Sequence, residues 1–165
     1  MSACVIIPTY APSSTTERLA RDIVKWNPKV RVFIVDDSTP VSHTEGMTTL
    51  ARIARITRGV SLLRTPANKL KAGALNFAIA HILRNFDNVY EAVITLDDDV
   101  IITHDTISNL LTELASRDNL AAACSQCSVH NKNVNVLTRL QGLEYLGFNA
   151  VRLADEGFLR GPLVM

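Results

Sequence analysis

The chain has 165 residues, of which 47% are hydrophobic and 20% charged, and its formal net charge is +1. This length is sufficient for one domain with a buried core. The nearly neutral charge argues against nucleic acid or an anionic membrane surface as a partner. The sequence has no apolar stretch of about 18 residues, which a membrane span needs, and no signal-peptide pattern at its amino terminus. We therefore predict a soluble cytoplasmic domain that does not bind nucleic acid.

The three cysteines, Cys4, Cys124 and Cys127, do not make an even disulfide set. Cys124 and Cys127 form a CxxC pair, but a zinc site needs two more ligands, and the redox form of this motif begins a helix after a first strand. We interpret the cysteines as buried thiols in a reducing compartment.

The first part of the chain alternates strand-like and helix-like patterns. The apolar run Cys4–Ile7 predicts a strand that ends at a proline. Ser14 and Glu17 have the spacing of a capping box at the start of a helix, and Pro28 ends that helix. Val30–Val35 is rich in β-branched residues and predicts a second strand, which runs directly into acidic residues.

Two further helices are predicted in the middle of the chain. The first is Glu45–Arg58, with Gly59 as its carboxyl-terminal cap. The second is Lys69–Asn85, whose wide apolar face includes Leu70. Val60–Leu63 lies between them and predicts a third strand.

The stretch AVITLDDDV, residues 92–100, joins a β-prone run to three adjacent carboxylates, Asp97, Asp98 and Asp99. In open α/β sheets, ligands bind at the carboxyl ends of the strands. Three neighbouring carboxylates repel one another unless a cation or water neutralises them. Taken alone, the cluster fits either a ligand site or a solvated acidic turn. A second β-prone run, Val100–Ile102, follows at once.

The remaining patterns complete an α/β alternation. They predict a helix at Asp105–Arg117 with Thr103 as its N-cap, a fifth strand at Leu120–Cys124 and a helix at Val136–Leu153. Such alternation indicates a mostly parallel sheet with helices on both faces, in a core spanning residues 1–124. The apolar run at residues 161–165 is unusual for a terminus and predicts that the chain is truncated from a longer protein.

Four motifs occur in order: VIIPTY at 5–10, VFIVDDST at 32–39, NKLKAGALN at 68–76 and TLDDDV at 95–100. With them, and with QGLEYLGF at 141–148, the chain resembles the family 2 glycosyltransferases of the GT-A fold, and more closely their polysaccharide-synthase branch, which includes cellulose, chitin and hyaluronan synthases. The resemblance implies a Rossmann-like GT-A domain that uses a UDP-sugar donor. It implies inverting transfer of a hexose or N-acetylhexosamine to a growing glycan, with residues 125–165 beginning the acceptor-side region. A membrane-associated parent protein is compatible with it.

The resemblance also implies a metal site at the DxD pair. Mg²⁺ or Mn²⁺ held by carboxylates would stabilise the charge that develops on the departing diphosphate. By position, Asp99 is the direct metal ligand, Asp97 supports the metal or contacts the ribose, and Asp98 takes the variable middle place beside the nucleotide sugar.

Four other residues match motif positions that bind the donor. Asp37 matches the aspartate that accepts a hydrogen bond from the uracil imide, which suits a carboxylate. Thr9 and Tyr10 match the segment that lines the base and ribose, and Lys71 matches the basic residue at the diphosphate. The residues themselves leave another interpretation open, in which Asp36 and Asp37 only cap the next turn.

Two acceptor-side motifs of the family, the ED or TED pair with the catalytic base and the later QxxRW, are not found in the sequence. Arg160 and Gly161 lie where the family turns toward its acceptor site. Because general-base catalysis typically contributes about 10² to 10⁴ in rate, we expect this chain to bind donor but transfer little. Two alternatives are a receiver-like, Mg²⁺-binding signalling domain, whose acids should follow the first strand, and a non-catalytic nucleotide-binding module.

Overall fold

The computed structural model describes residues 1–56, 58–86, 89–116 and 120–158, with 152–158 as backbone only. Residue 57 of the predicted second helix, and Arg160 and Gly161, lie outside these ranges. The chain divides into two compact units, Met1–Ser108 and Asn109–Met165, which are described separately. The elements are β1 (Ala3–Thr9), α1 (Ser14–Trp26), β2 (Arg31–Asp36), α2 (Thr44–Ala54), β3 (Val60–Arg64), α3 (Leu70–Asn85), β4 (Ala92–Thr95), α4 (Thr106–Ala115) and α5 (Val136–Phe158).

The four strands form one parallel sheet in the order β3-β2-β1-β4. All seven residues of β1 are buried, as expected for a central strand covered on both faces. The chain adds β2 and β3 on one side of β1 and then returns to place β4 on the other side. The sheet therefore has a topological switch point between β1 and β4.

Helices cover both faces of this sheet. Cys4, Ile6 and Phe33 share a buried cluster with Ala74 and Ala78 of α3. Because side chains alternate along a strand, the intervening residues of β1 and β2 point to the opposite face. There α1 packs against α2 and β2, and α2 packs against β3. The predicted α/β class, with a parallel sheet between two helix layers, is confirmed.

An ion-pair cluster joins the two helices of that second layer. Glu17 of α1 accepts a hydrogen bond from Arg21 at 2.9 Å, one turn further along the same helix. The other carboxylate oxygen of Glu17 accepts from Arg52 of α2 at 2.7 Å. The carboxylate therefore ties α1 to α2 at a position where only 16% of its side chain is exposed.

The strand β1 is longer than predicted, because it continues through Pro8 to Thr9. The carbonyl of Ile6 faces β4, where it accepts from Leu96, and the carbonyl of Thr9 faces β2, where it accepts from Asp37. Backbone groups alternate in direction along a strand, so the nitrogen of Pro8 also faces the side of β4. Since β4 ends at Thr95, the missing N–H costs no ladder hydrogen bond.

The predicted fifth strand is wrong. Neither the β-prone run Val100–Ile102 nor the predicted strand Leu120–Cys124 is a strand in the described chain. The second segment contains three consecutive alanines, which have a low β propensity, and a strand forms only where a neighbour pairs with it.

Several helix ends also differ from the predictions. The capping box of α1 uses Ser13 and Thr16 in place of Ser14 and Glu17. The helix α2 ends at Ala54, so Gly59 is not its cap; its φ of +73° instead serves the turn into β3, where its carbonyl accepts from Val32 at 2.7 Å. The ends of a helix depend on local hydrogen bonds, which cannot be predicted from the periodicity of its apolar residues.

The interpretation of all three cysteines as buried is wrong for two of them. Cys4 lies in the core of β1, whereas Cys124 and Cys127 are exposed. For Cys124 the error follows from the missing strand at Leu120–Cys124, which was expected to bury that segment in the sheet.

The second unit contains the long helix α5. Asn135 caps it: its side-chain oxygen accepts from the amide of Thr138 at 2.9 Å, and the hydroxyl of Thr138 accepts from the amide of Asn135 at 3.1 Å. Within the described ranges, none of the helices combines the length and apolar character that crossing a membrane requires.

Candidate functional site

A cavity of about 580 Å³ opens at the carboxyl edge of the sheet, beside the switch point between β1 and β4. Crevices at such points are the usual ligand sites of open α/β sheets. The cavity is lined by Pro8, Thr9, Tyr10, Asp37, Asn68, Leu70, Lys71, Ala74, Asp97, Asp98 and Asp99. Every residue that the sequence proposed for donor or metal binding is therefore present in one cavity, although their individual roles stay predictions.

The three acids after β4 lie in different surroundings. Asp98 is half-buried and accepts a hydrogen bond from the hydroxyl of Thr9, at the end of β1. Burial raises the pKa of Asp98, and the nearby charges of Asp99 and Asp97 raise it further, while the bond from Thr9 opposes the shift. The middle acid therefore joins the ends of β1 and β4, and the two outer acids are exposed.

Asp97 and Asp99 differ in their partners. The Nζ of Lys71, in the first turn of α3, lies 2.5 Å from Oδ1 of Asp97. In the part of the chain that the structure describes, no residue donates a hydrogen bond to the carboxylate of Asp99. The ammonium of Lys71 thus compensates the charge of Asp97, whereas none of the described residues does so for Asp99 through a hydrogen bond.

The exposed acids Asp97 and Asp99 fit a divalent cation that takes only one or two ligands from the protein. Among the described residues, no three His, Cys, Asp or Glu side chains are arranged to enclose a metal ion. Mg²⁺ and Mn²⁺, however, commonly use only one or two protein carboxylates and complete their shell with water and phosphate oxygens. Asp97 and Asp99 offer oxygen ligands at an open cavity, so they fit a cation that arrives with a phosphorylated ligand.

Asp37 follows β2 and is buried against the start of α3. Its carboxylate accepts from the amide of Lys69 at 2.9 and 3.0 Å and from the hydroxyl of Thr65 at 2.9 Å. Asp37 therefore does not cap the turn that follows it; among the two acids only Asp36 accepts from that turn, at Thr39. The contacts of Asp37 leave room for a ligand, because the residue lines the cavity and a carboxylate has about four acceptor sites.

Asp36 does not line the cavity and serves the structure around it. Its Oδ2 lies 2.6 Å from Nη1 of Arg64, and its Oδ1 accepts from the amide and hydroxyl of Thr39 at 3.1 and 2.5 Å. Sequence reasoning missed Arg64 and Thr39. Strand register would have identified Arg64, since it lies directly opposite Asp36 in the sheet.

Three residues near the cavity adopt left-handed backbone conformations without being glycine: Ala11 (φ +54°), Ser38 (φ +60°) and Leu70 (φ +59°). Such conformations are unfavourable for residues with a Cβ and collect at ligand sites. Leu70 was predicted to pack in the apolar face of its helix, but it is 74% exposed and lines the cavity. Each of the three lies in a segment that follows β1 or β2 or begins α3.

Comparison with known proteins identifies the family. The sequence profile described as glycosyl transferase family 2 matches residues 4–160. The chain belongs to glycosyl transferase family 2. The predicted family is thereby confirmed, and the interpretation as a receiver-like signalling domain loses its support. No curated protein sequence matches this chain.

A solved structure supports the fold of this family 2 glycosyltransferase. The mannosyltransferase PcManGT from Pyrobaculum calidifontis, in complex with GDP-Man and Mn²⁺, matches with a TM-score of 0.53 and 24% sequence identity. The match covers 69% of this chain and 32% of that one, so the present chain spans about a third of its length. The predicted GT-A fold is confirmed; the polysaccharide-synthase branch stays a prediction.

Proposed function

We propose that this domain binds a UDP-sugar donor together with Mn²⁺ or Mg²⁺ and forms the donor half of an inverting glycosyltransferase. The sugar would be a hexose or N-acetylhexosamine, and the acceptor a growing glycan. The single observation that carries the proposal is the cavity at the switch point, where Asp37, Lys71 and the acids 97–99 meet. Family membership supplies the reaction class.

Asp37 is proposed to bind the base. A carboxylate accepts hydrogen bonds, so it pairs with uracil or guanine, whose central ring nitrogen carries a proton. It pairs poorly with cytosine or adenine, where that nitrogen is an acceptor. The bound GDP-Man of the related mannosyltransferase also supports a donor of this class. Tyr10 and Thr9, next to Asp37 in the cavity lining, are proposed to contact the base and ribose.

Asp99 and Asp97 are proposed to hold the cation, and Lys71 to contact the diphosphate. A divalent cation supplies charge stabilisation for the departing nucleoside diphosphate. Lys71 adds a positive charge at the same place, and its pairing with Asp97 keeps it at the cavity in the donor-free protein. Asp98, bonded to Thr9, fixes the position of the two outer acids.

Two further parts of the proposal concern the acceptor side. Residues 125–165 would begin the acceptor-binding region, after a nucleotide-binding core at 1–124. Since the sequence lacks the ED or TED pair of the family, the chain by itself would bind donor but transfer sugar weakly or not at all.

Isothermal titration tests the donor site. UDP should bind in the presence of Mn²⁺, GDP should compete to some extent, and ADP and CDP should bind much more weakly. Asp99→Ala should weaken Mn²⁺-dependent UDP binding by at least about tenfold, as loss of a metal-supporting residue typically does. Asp22→Ala, an acid of α1 that does not line the cavity, is the control. An absence of UDP binding, or binding indifferent to Asp99→Ala, would refute the proposal.

A further inference from the structure

Three polar side chains behind the cavity form a continuous network, here called the Asp36 network: Asp36, Thr39 and Arg64. None of the three lines the cavity. Arg64 bonds both to the carboxylate of Asp36, at 2.6 Å, and to the carbonyl of Thr39, at 2.7 Å. Asp36 is 1% exposed and Thr39 is fully buried. A buried carboxylate is strongly destabilising unless it is paired and hydrogen-bonded, so these contacts hold one another in place.

The Asp36 network ends on the loop that follows β1. The hydroxyl of Thr39 donates its proton to Asp36 at 2.5 Å, which turns its lone pairs toward the amide of Ala11, 2.9 Å away. Ala11 is one of the left-handed residues, at φ +54°. This conformation is unfavourable for a residue with a Cβ and persists only where the surroundings enforce it.

The same loop carries two side chains of the cavity. Tyr10 precedes Ala11 and lines the cavity at 52% exposure, and Thr9 donates to Asp98. We propose that Asp36, Thr39 and Arg64 are positioning residues, which hold the segment Thr9–Ala11 in the conformation that receives the nucleoside of the donor. This inference rests on the proposed function and extends it to residues that do not touch the ligand.

The start of α2 closes the other side of the loop. A Cβ built on Gly46 would lie 3.2 Å from the Cα of Ala11 and 3.2 Å from Cγ2 of Thr39. The glycine therefore permits a close approach of α2 to both groups. The loop is consequently held by a hydrogen bond on one side and by backbone packing on the other.

Amide hydrogen exchange and UDP titration on the same variants test the inference. Thr39→Val removes the hydroxyl with little change of shape, so Ala11 loses its acceptor. We expect the Ala11 amide to exchange roughly tenfold faster and UDP to bind roughly three- to tenfold more weakly. Thr39→Ser keeps the hydroxyl and should restore both values.

Thr49→Val is the matched control, because Thr49 is a fully buried threonine of α2 whose hydroxyl accepts from Arg52 and, in the described ranges, makes no hydrogen bond with Ala11. It should leave Ala11 exchange and UDP affinity unchanged. If Thr39→Val fails to fold, Arg64→Lys, at a side chain that is 43% exposed, supplies the same two readouts. In Arg64→Lys a single ammonium replaces the two guanidinium nitrogens that bond Asp36 and the carbonyl of Thr39, so both readouts should move in the same direction.

Two results would overturn the inference: unchanged Ala11 exchange in Thr39→Val, or faster exchange with full UDP affinity. Faster exchange throughout β1, with a matching loss of global stability, would likewise show a purely structural role. Failure of the unmodified protein to bind UDP would instead refute the proposed function, and Ala11 exchange would still report whether the network holds the loop.

Discussion

Replacing Lys71 with methionine should change metal and nucleotide binding in opposite directions. In the donor-free protein, the ammonium of Lys71 lies 2.5 Å from Asp97, and the two side chains are 62% and 53% exposed. Exposed ion pairs of this kind contribute about 0.2–1 kcal/mol. A metal ion must displace the lysine from Asp97, so Lys71→Met should bind Mn²⁺ alone up to about fivefold more tightly.

Nucleotide binding should weaken in the same variant. A hydrogen bond to a charged group contributes about 1.5–3 kcal/mol, and breaking the pair with Asp97 offsets up to about 1 kcal/mol of that. With the full offset the net loss is about 0.5–2 kcal/mol, which corresponds to roughly 2- to 30-fold weaker UDP binding with Mn²⁺ present. Isothermal titration of Mn²⁺ alone, and of UDP in saturating Mn²⁺, measures the two effects separately.

Lys69→Met provides the control for this prediction. Lys69 is an exposed lysine two residues away, and its contact with Asp37 is made by the backbone amide, which the substitution keeps. Both affinities should stay close to those of the unmodified protein. The reasoning is refuted if Lys71→Met binds Mn²⁺ no more tightly than before, or if it binds UDP with undiminished affinity.

Three further predictions concern stability and reactivity. Burial raises the pKa of Glu17, but hydrogen bonds from Arg21 and Arg52 outweigh this effect and lower the pKa. The ion pairs of Glu17 therefore stabilise the folded protein above the ordinary glutamate pKa, and this stabilisation is lost as pH falls through the pKa of the folded state. Glu17→Gln should therefore lower the melting temperature by about 2–4 °C at pH 7 and by nothing in strong acid; an equal loss at both pH values would contradict this. Gly46→Ala places a Cβ 2.7 Å from Nδ1 of His43. It should lower the free energy of unfolding, measured in urea, by about 1–3 kcal/mol. Unchanged stability would show that the neighbouring residues move to accommodate the Cβ. Burial raises the pKa of Cys4 to about 11. Iodoacetamide at pH 7.5 should therefore label the exposed Cys127 and not Cys4 in the native protein. Mass spectrometry measures the labelling, and alkylated Cys4 would contradict the prediction.

The sequence was most informative where function depends on the ends of strands. Asp37 and the acids 97–99 follow apolar runs, and parallel strands bring their carboxyl ends to one edge. This geometry requires only the strand boundaries and their common direction, which periodicity indicates. It therefore placed the acids at the ligand-binding edge of the sheet, whereas Thr9 was assigned by the family resemblance.

Pairings across the fold were beyond sequence reasoning. Arg64 and Asp36 face each other because β2 and β3 adopt one particular register, and that register results from packing of the whole sheet. The left-handed conformation of Ala11 has no sequence signal either, since such sites usually hold glycine or asparagine. Both features depend on neighbours distant in sequence, which a local pattern does not encode.

The proline in β1 also limits how far the sheet can extend. Position 8 directs its nitrogen toward the side where β4 has already ended, at the mouth of the cavity. A longer β4, or another extended segment at that place, would find no N–H at Pro8 to donate a hydrogen bond to its carbonyl groups. Pro8 thus stops the pairing of β1 with β4 from continuing beyond Thr95 and leaves space for a ligand between the ends of the two strands.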